Sequence, residues 1–453
     1  MIRIFVLLLA CMGAVLPGGA EAATISREIS PGGLSYMRIF IPDADKVAIR
    51  IAWPSNWAWR KNVNQAVPHV GAELMLLGGA KGFPAGKAVE QFADMKGMAR
   101  LVSTPDYFMG VLAVPKKHLS DAVQIANAHL RAPMLDERWL RRVCGNLLNR
   151  VRKAQARPEW QGFAALRRAI LGDTPLYQAL SLDPPEQIIS VTRAELVRWH
   201  RETLVRNGAK IVLAGNLNAR EAGVVIDAIM KGLPEGERRA RPVTRTNFSP
   251  RRILLQIPDA KAATLVFAGP LPSISKGGEI EDVLLASLLG GGPGSVLFDA
   301  VRTKLRAAYA IGTRLETYTR DIRLLVMAGQ VKPARLADVE QAVRRAYADF
   351  RKNGTLQGLE HRKSRLAATI AKNMKDPLHI SLSALLGWLA GQEPEMVVKL
   401  ASEIRAVTPA DIRKRLATAF PPSKQLIVLA VSPKADALPG ACVITRPKEA
   451  DRC

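Results

Sequence analysis

The chain has 453 residues, 48% of them hydrophobic, and a net charge of +25 from 65 Lys and Arg against 40 Asp and Glu. That length and apolar content exclude a disordered chain and leave room for two or more domains. The basic balance points to an acidic partner, and equally to an ordinary solvated surface. No block of about five or six like charges occurs, and aromatics make up only 5%, so a nucleic-acid stacking platform is not expected.

The first 22 residues read as an export signal. Met1-Ile2-Arg3 carries one positive charge, Ile4 to Ala10 is apolar, and Ala20-Glu21-Ala22 offers a small-residue cleavage site before Ala23. A competing lipobox, Leu8-Leu9-Ala10-Cys11, would instead anchor the chain through a lipid; the later cleavage site favours plain secretion. Nothing further along is apolar for long enough to span a membrane. Two strand-like runs, Leu34–Ile41 and Lys46–Ala52, flank the turn Pro42-Asp43-Ala44-Asp45. Val67–Leu77 reads as an apolar helix, and Lys87–Met98 as a second one with Val89, Phe92 and Met95 at helical spacing. Arg100–Thr104 and Tyr107–Val114 form a hairpin pattern, followed by helices over 117–131, 136–155 and 160–171. Thr192 and Glu195 make a capping box, and Ile211–Ala214 is a buried strand.

Residues 234–252 are polar, basic and Pro-containing, which marks a linker. After it the pattern restarts. Ile41-Pro-Asp-Ala44 recurs as Ile257-Pro-Asp-Ala260, and Leu76-Leu-Gly-Gly79 as Leu288-Leu-Gly-Gly291. Val191-Thr192 and Ile211–Ala214 recur as Val407-Thr408 and Ile427–Ala430. These repeats share nearly one offset, 212 to 216. Helices are expected over 335–351, 356–374 and 379–391. The fold expected is α+β: duplicated halves at 23–233 and 253–435, each an antiparallel-rich sheet covered by helices, with a loose tail at 436–453. Cys442 and Cys453 can pair in an oxidising compartment, and Cys144 reads as a buried thiol.

One stretch stands out, Leu288 to Tyr309. A Gly run (Gly290, Gly291, Gly292, Pro293, Gly294) precedes a short helix with Leu297, Val301 and Leu305 on one stripe. Tyr309 then opens a strand with Ile311, Thr313 and Leu315 on its face. Taken with the duplication and the linker, this resembles the insulinase/pitrilysin family of metallopeptidases (M16) over roughly residues 25–435. The resemblance implies two similar halves closing like a clam around a peptide. It implies substrate binding at Gly291, Gly292, Arg302 and Tyr309, with Arg302 on the peptide backbone and Tyr309 on the oxyanion of the tetrahedral intermediate. One departure is the segment Lys304-Leu305-Arg306-Ala307-Ala308-Tyr309, which lacks the family's usual Gly.

The first half departs where the family holds its metal. Active members carry H-x-x-E-H on a helix, with a Glu from a later helix as third ligand. Here the helix reads Val70-Gly71-Ala72-Glu73-Leu74, and the later helix reads Leu147-Leu148-Asn149-Arg150. Val70, Leu74 and Asn149 therefore stand at ligand positions, and only Glu73 keeps the family residue. His69 with Glu73 gives two ligands, too few for catalytic zinc, so His69 reads as a capping or surface residue. His200 and His361, in charged helical runs, read as surface residues. There is no P-loop, since no Lys-Ser/Thr follows the Gly run. What the resemblance implies is a non-catalytic periplasmic subunit of a heterodimeric zinc peptidase. It would hold no cofactor itself, close over a zinc-bearing partner, bind a peptide (an acidic one if the basic surplus lines the chamber) and supply Arg302 and Tyr309. The alternative is a peptide-binding or scaffold pseudo-peptidase in which that pair is a relic.

Overall fold

The computed structural model describes residues 23–237, 242–305, 308–354 and 356–453, with backbone only at 308–310. The expected signal segment lies outside the described residues. The first half places β1 (Thr24–Ile29), β2 (Ser35–Phe40), β3 (Lys46–Pro54), β4 (Met98–Ser103), β5 (Tyr107–Pro115) and β6 (Lys210–Gly215) in one sheet, ordered β1-β2-β6-β3-β5-β4. Its helices are α1 (Val67–Leu77), α2 (Ala88–Asp94), α3 (Leu119–Arg131), α4 (Glu137–Gln155), α5 (Pro158–Leu171), α6 (Pro175–Ser181), α7 (Arg193–Thr203) and α8 (Ala219–Met230).

In the second half come β7 (Arg252–Gln256), β8 (Ala263–Leu271), α9 (Glu279–Gly290), α10 (Val296–Phe298), β9 (Ala308–Thr319) and β10 (Ile322–Val331). They are followed by α11 (Leu336–Asn353), α12 (Leu359–Asn373), α13 (Pro377–Leu389), α14 (Met396–Ala406), α15 (Pro409–Ala419), β11 (Ile427–Ser432) and β12 (Cys442–Ile444). The second sheet is ordered β12-β7-β11-β8-β10-β9. Five strands thus repeat the first sheet's order, with β2 and β6 parallel as β7 and β11 are. Only the outermost strand differs, being the antiparallel β1 in one sheet and the parallel β12 in the other.

Both sheets are buried on two faces, and side-chain alternation sorts the residues. On β3, Val47, Ile49, Ile51 and Trp53 face the first half's own helices, while Ala52 faces the other way. Phe108 meets Trp199 of α7 edge-on, ring centres 4.9 Å apart. In the second sheet, Leu265 and Phe267 face its own helices, while Val266 and Ala268 face away.

The outer faces are covered by exchange. α13, from the second half, lays Ile380, Ala384 and Leu385 on Met37, Ile39, Ala52, Val212 and Ala214 of the first sheet. Arg50 of β3 fastens it, donating from Nε to Ser381 Oγ (3.1 Å) and from Nη2 to the Leu378 carbonyl (3.0 Å). At the helix's far end the Lys210 ammonium sits 4.6 Å from the Trp388 ring centre. Conversely α5, from the first half, packs Ala165, Leu166, Ala169 and Ile170 on Ile253, Leu255, Val266 and Ala268 of the second sheet. The approach is close enough that a Cβ on Gly162 would stand 2.9 Å from Val431 Cγ2. The two halves are therefore interleaved, each lending a helix to the outer face of the other's sheet.

Three sequence expectations need adjusting. The C-terminal residues do not form a loose tail: β12 pairs with β7, and the turn Pro447–Arg452 lies against α5, with Arg168 Nε 2.8 Å from Asp451 Oδ2. A Cys442–Cys453 disulfide closes this segment. The helix expected over Lys87–Met98 ends at Asp94, because Lys96 turns to φ +54° and Met98 already begins β4. Finally, the short helix after the Gly run is one turn of α10 widening into a π-helical turn, Asp299–Lys304. Leu297 and Val301 are both fully buried there.

Candidate functional site

The helix where the family motif would bear zinc is α1. It starts on Pro68 in its first turn, with no side-chain cap. Its apolar run Val70, Leu74 and Met75 is fully buried, which is why it folds against the sheet. Val70 and Leu74 have no donor atoms, and Asn149 of α4 is exposed. Glu73 is taken up by an ion pair with Arg150 of α4. Partial burial pushes the Glu73 carboxyl above its usual range, and Arg150 works against that shift. These side chains do not fit a catalytic zinc, which needs three protein ligands around an open position. Among the described residues no group of three or more His, Cys, Asp or Glu is placed to hold a metal.

Two of the histidines, His69 and His200, differ from expectation. His69 is partly buried, with Nε2 3.2 Å from the Ala179 carbonyl. His200 is not a surface residue: its Nε2 lies 2.7 Å from the Leu130 carbonyl, and burial lowers its pKa. The flanking Arg198, Arg201 and Glu202 made it look exposed. His361 is exposed. The Cys144 thiol is buried and pushed up to about 11, hence inert at neutral pH.

In the second half, α9 ends at Gly290, so close to β9 that a Cβ there would lie 2.2 Å from Thr313 Oγ1. Gly292 and Gly294 adopt φ of +92° and +71°, which side-chain-bearing residues rarely do. The turn is tied at both ends. Ser295, fully buried, donates from Oγ to the Gly292 carbonyl (2.5 Å). Arg362 of α12 donates from Nη1 to Ser287 Oγ (2.9 Å) and reaches the Gly294 carbonyl with Nη2 (3.5 Å). Arg302 is exposed on the π-helical turn, its guanidinium 5.2 Å from the Phe298 ring centre. Tyr309 enters β9 at the register irregularity where Gln330 pairs with Ala310 and Val331 with Ala308. Its side chain, like residues 306 and 307, lies outside the described residues. Sequence reasoning missed Arg150 and Arg362. The available signal was their place on duplicated helices that each follow a Leu-Gly-Gly turn.

Residues 190–366 match the family described as Peptidase M16 inactive domain. Among curated proteins the chain is 21% identical over 293 residues to an uncharacterized zinc protease of Rickettsia felis, covering 63% of this chain and 69% of that one. Its fold is shared with a peptidase M16 inactive domain from Pseudomonas fluorescens, with a TM-score of 0.80 and 16% identity over 90% of this chain and 98% of the other. It is also shared with the periplasmic protease PqqL from Escherichia coli, with a TM-score of 0.71 and 16% identity; there the match covers 96% of this chain but 50% of PqqL. Residues 190–366 thus match a peptidase M16 inactive domain, and nearly the whole chain shares the fold of M16-type peptidases while its sequence carries no H-x-x-E-H motif.

Proposed function

We infer that this chain is the substrate-side subunit of a two-chain zinc peptidase, working in the periplasm and contributing no metal of its own. The observation that carries the reading is the contrast between duplicated helices. Around α1 the ligand positions are apolar and the surviving Glu73 is neutralised by Arg150. Around α9 the Gly turn is held in shape and Arg302 remains free to solvent. The interleaving of the halves supports a second chain, since one jaw is already a closed unit. So does the match to half of PqqL, which leaves as much again of that protein without a counterpart here. The disulfide fits an oxidising compartment.

In this role Arg302 binds the peptide backbone, and the Tyr309 hydroxyl donates a hydrogen bond to the oxyanion that forms during cleavage; the partner supplies the zinc. Such a donor acts on charge that develops only in the transition state, so its loss lowers turnover more than binding. Where the surplus of positive charge lines the chamber, it favours acidic peptides. The test is co-expression with a chain bearing H-x-x-E-H and an assay of peptide cleavage. Tyr309→Phe should cut turnover about a hundredfold, and Arg302→Ala should raise KM. A complex that forms but cleaves at an unchanged rate with Tyr309→Phe would make the chain a scaffold or peptide-binding pseudo-peptidase.

A further inference from the structure

One concavity has neither Arg302 nor the Gly turn among its walls, and its chemistry is independent of them. It sits between the N-terminus of α1, the β4–β5 turn and the end of α6. Its volume is about 100 Å³, and Ser55, Trp57, Gln65, His69, Ser103 and Leu180 are among its walls. That is several times the room one water requires. Gln65 is 2% exposed, and its amide nitrogen donates to the Arg60 carbonyl at 3.0 Å. This bond fixes which end of the amide is the donor and leaves Oε1 as its acceptor. Oε1 is buried and has no hydrogen-bond partner among the described residues, a costly state unless something fills it.

The rest of the lining shows what would fill it. His69 Nε2 faces the Ala179 carbonyl and so carries the proton, leaving Nδ1 as a second acceptor. Burial lowers the His69 pKa and keeps the ring neutral. The Thr104 hydroxyl is already engaged with Tyr107, whereas Ser55 Oγ accepts from the Trp57 N–H and keeps its own proton to donate. None of the lining residues carries a formal charge. A carboxylate would press lone pairs against Gln65 Oε1 with no cation to offset them, and an ammonium would find no carboxylate.

We propose that this cleft binds a primary carboxamide, whose two N–H groups go to Gln65 Oε1 and His69 Nδ1 and whose carbonyl accepts from the Ser55 hydroxyl. The group has two sources: the side chain of an asparagine or glutamine within a peptide, or the free amino acid. The test uses the full-length purified chain and saturation-transfer NMR with propionamide, propionate and methyl propionate. Transfer should reach propionamide and not the other two, and weaken about tenfold in Gln65→Met, the loss of one shielded hydrogen bond. Equal transfer to propionate, no transfer to propionamide, or full transfer in a Gln65→Met chain with unchanged circular dichroism overturns the proposal. Should Gln65→Met fail to fold, Ser103→Leu, at a half-buried position on the edge strand, fills the cleft, and undiminished transfer there overturns it equally. Comparing N-acetylasparagine methylamide with free asparagine identifies the source: stronger binding of the capped form assigns a peptide side chain, stronger binding of the free form an amino acid. None of these readouts depends on peptidase activity.

Discussion

α1 and α9 occupy the same place in the two halves, yet they resolve buried charge in opposite ways. At the common offset of 212, Val70 corresponds to Asp282. Val70 is packed among apolar side chains. Asp282 is just as buried but takes a two-pronged ion pair from Arg415 (2.7 and 2.9 Å) and a third contact from Arg323 at 3.1 Å. The helices that follow, α4 and α12, each send an arginine back. Arg150 reaches a carboxylate on α1, and Arg362 reaches the hydroxyl and carbonyl framework of the Gly turn beside α9. The same geometric device therefore cancels a charge in one half and holds the Gly turn in shape in the other.

The comparison can be broken at several points. Asp282→Ala should be the most damaging change, leaving Arg323 and Arg415 without their shared counter-charge. A loss of about 3–5 kcal/mol is expected, visible as a lowered urea midpoint; a near-neutral result would mean the triad is solvated. Val70→His puts an imidazole into a fully packed site and should cost about 2–4 kcal/mol through overpacking and an unpaired polar group. It should not bring stoichiometric zinc, as metal analysis of the purified variant would establish. Arg362→Met should cost about 1–2 kcal/mol and, in the co-expressed complex, raise KM by loosening the turn. Arg150→Ala should cost only about 1 kcal/mol, because the Glu73 side chain is a third exposed and water screens it.

The smallest effect is a pH dependence. Burial, the dominant influence, lowers the pKa of His69, His129 and His200. The unfolded chain takes up protons on these groups below about 6.5, while the fold resists doing so. Stability should therefore fall as pH drops below that value. Urea midpoints at about pH 7.5 and 5.5 should decrease in that order, and a midpoint that rises on acidification contradicts the assignment.

Much of this contrast was readable from residues alone. Helix Val67–Leu77 was expected with the boundaries observed, because its apolar run is long and closed by Gly78 and Gly79. The Thr192 capping box and the repeated Ile-Val-Leu-Ala strands were local signals of the same kind, and they survive as α7, β6 and β11. Partners were not legible. A helical pattern says that Ala165 and Ile170 face something apolar, but not that the surface belongs to the other half. His200 shows the same limit: its neighbours in sequence are charged, and its neighbour in space is a carbonyl from α3. β12 escaped notice because a three-residue strand in polar surroundings carries no periodicity to detect. The roles of Arg302 and Tyr309 rest on motif spacing.

The exchange of α5 and α13 has a consequence for how the chain must be made. The outer face of β2, β3 and β6 is closed by a helix that begins at Pro377, so a growing chain carries that face uncovered until most of its length exists. Contacts of such sequence separation form late and slow folding. Meanwhile Met37, Ile39 and Val212 present an apolar surface suited to a chaperone or to aggregation. Neither half expressed alone should reach a stable fold, and a chain cut before α13 should fail even though its first sheet is complete.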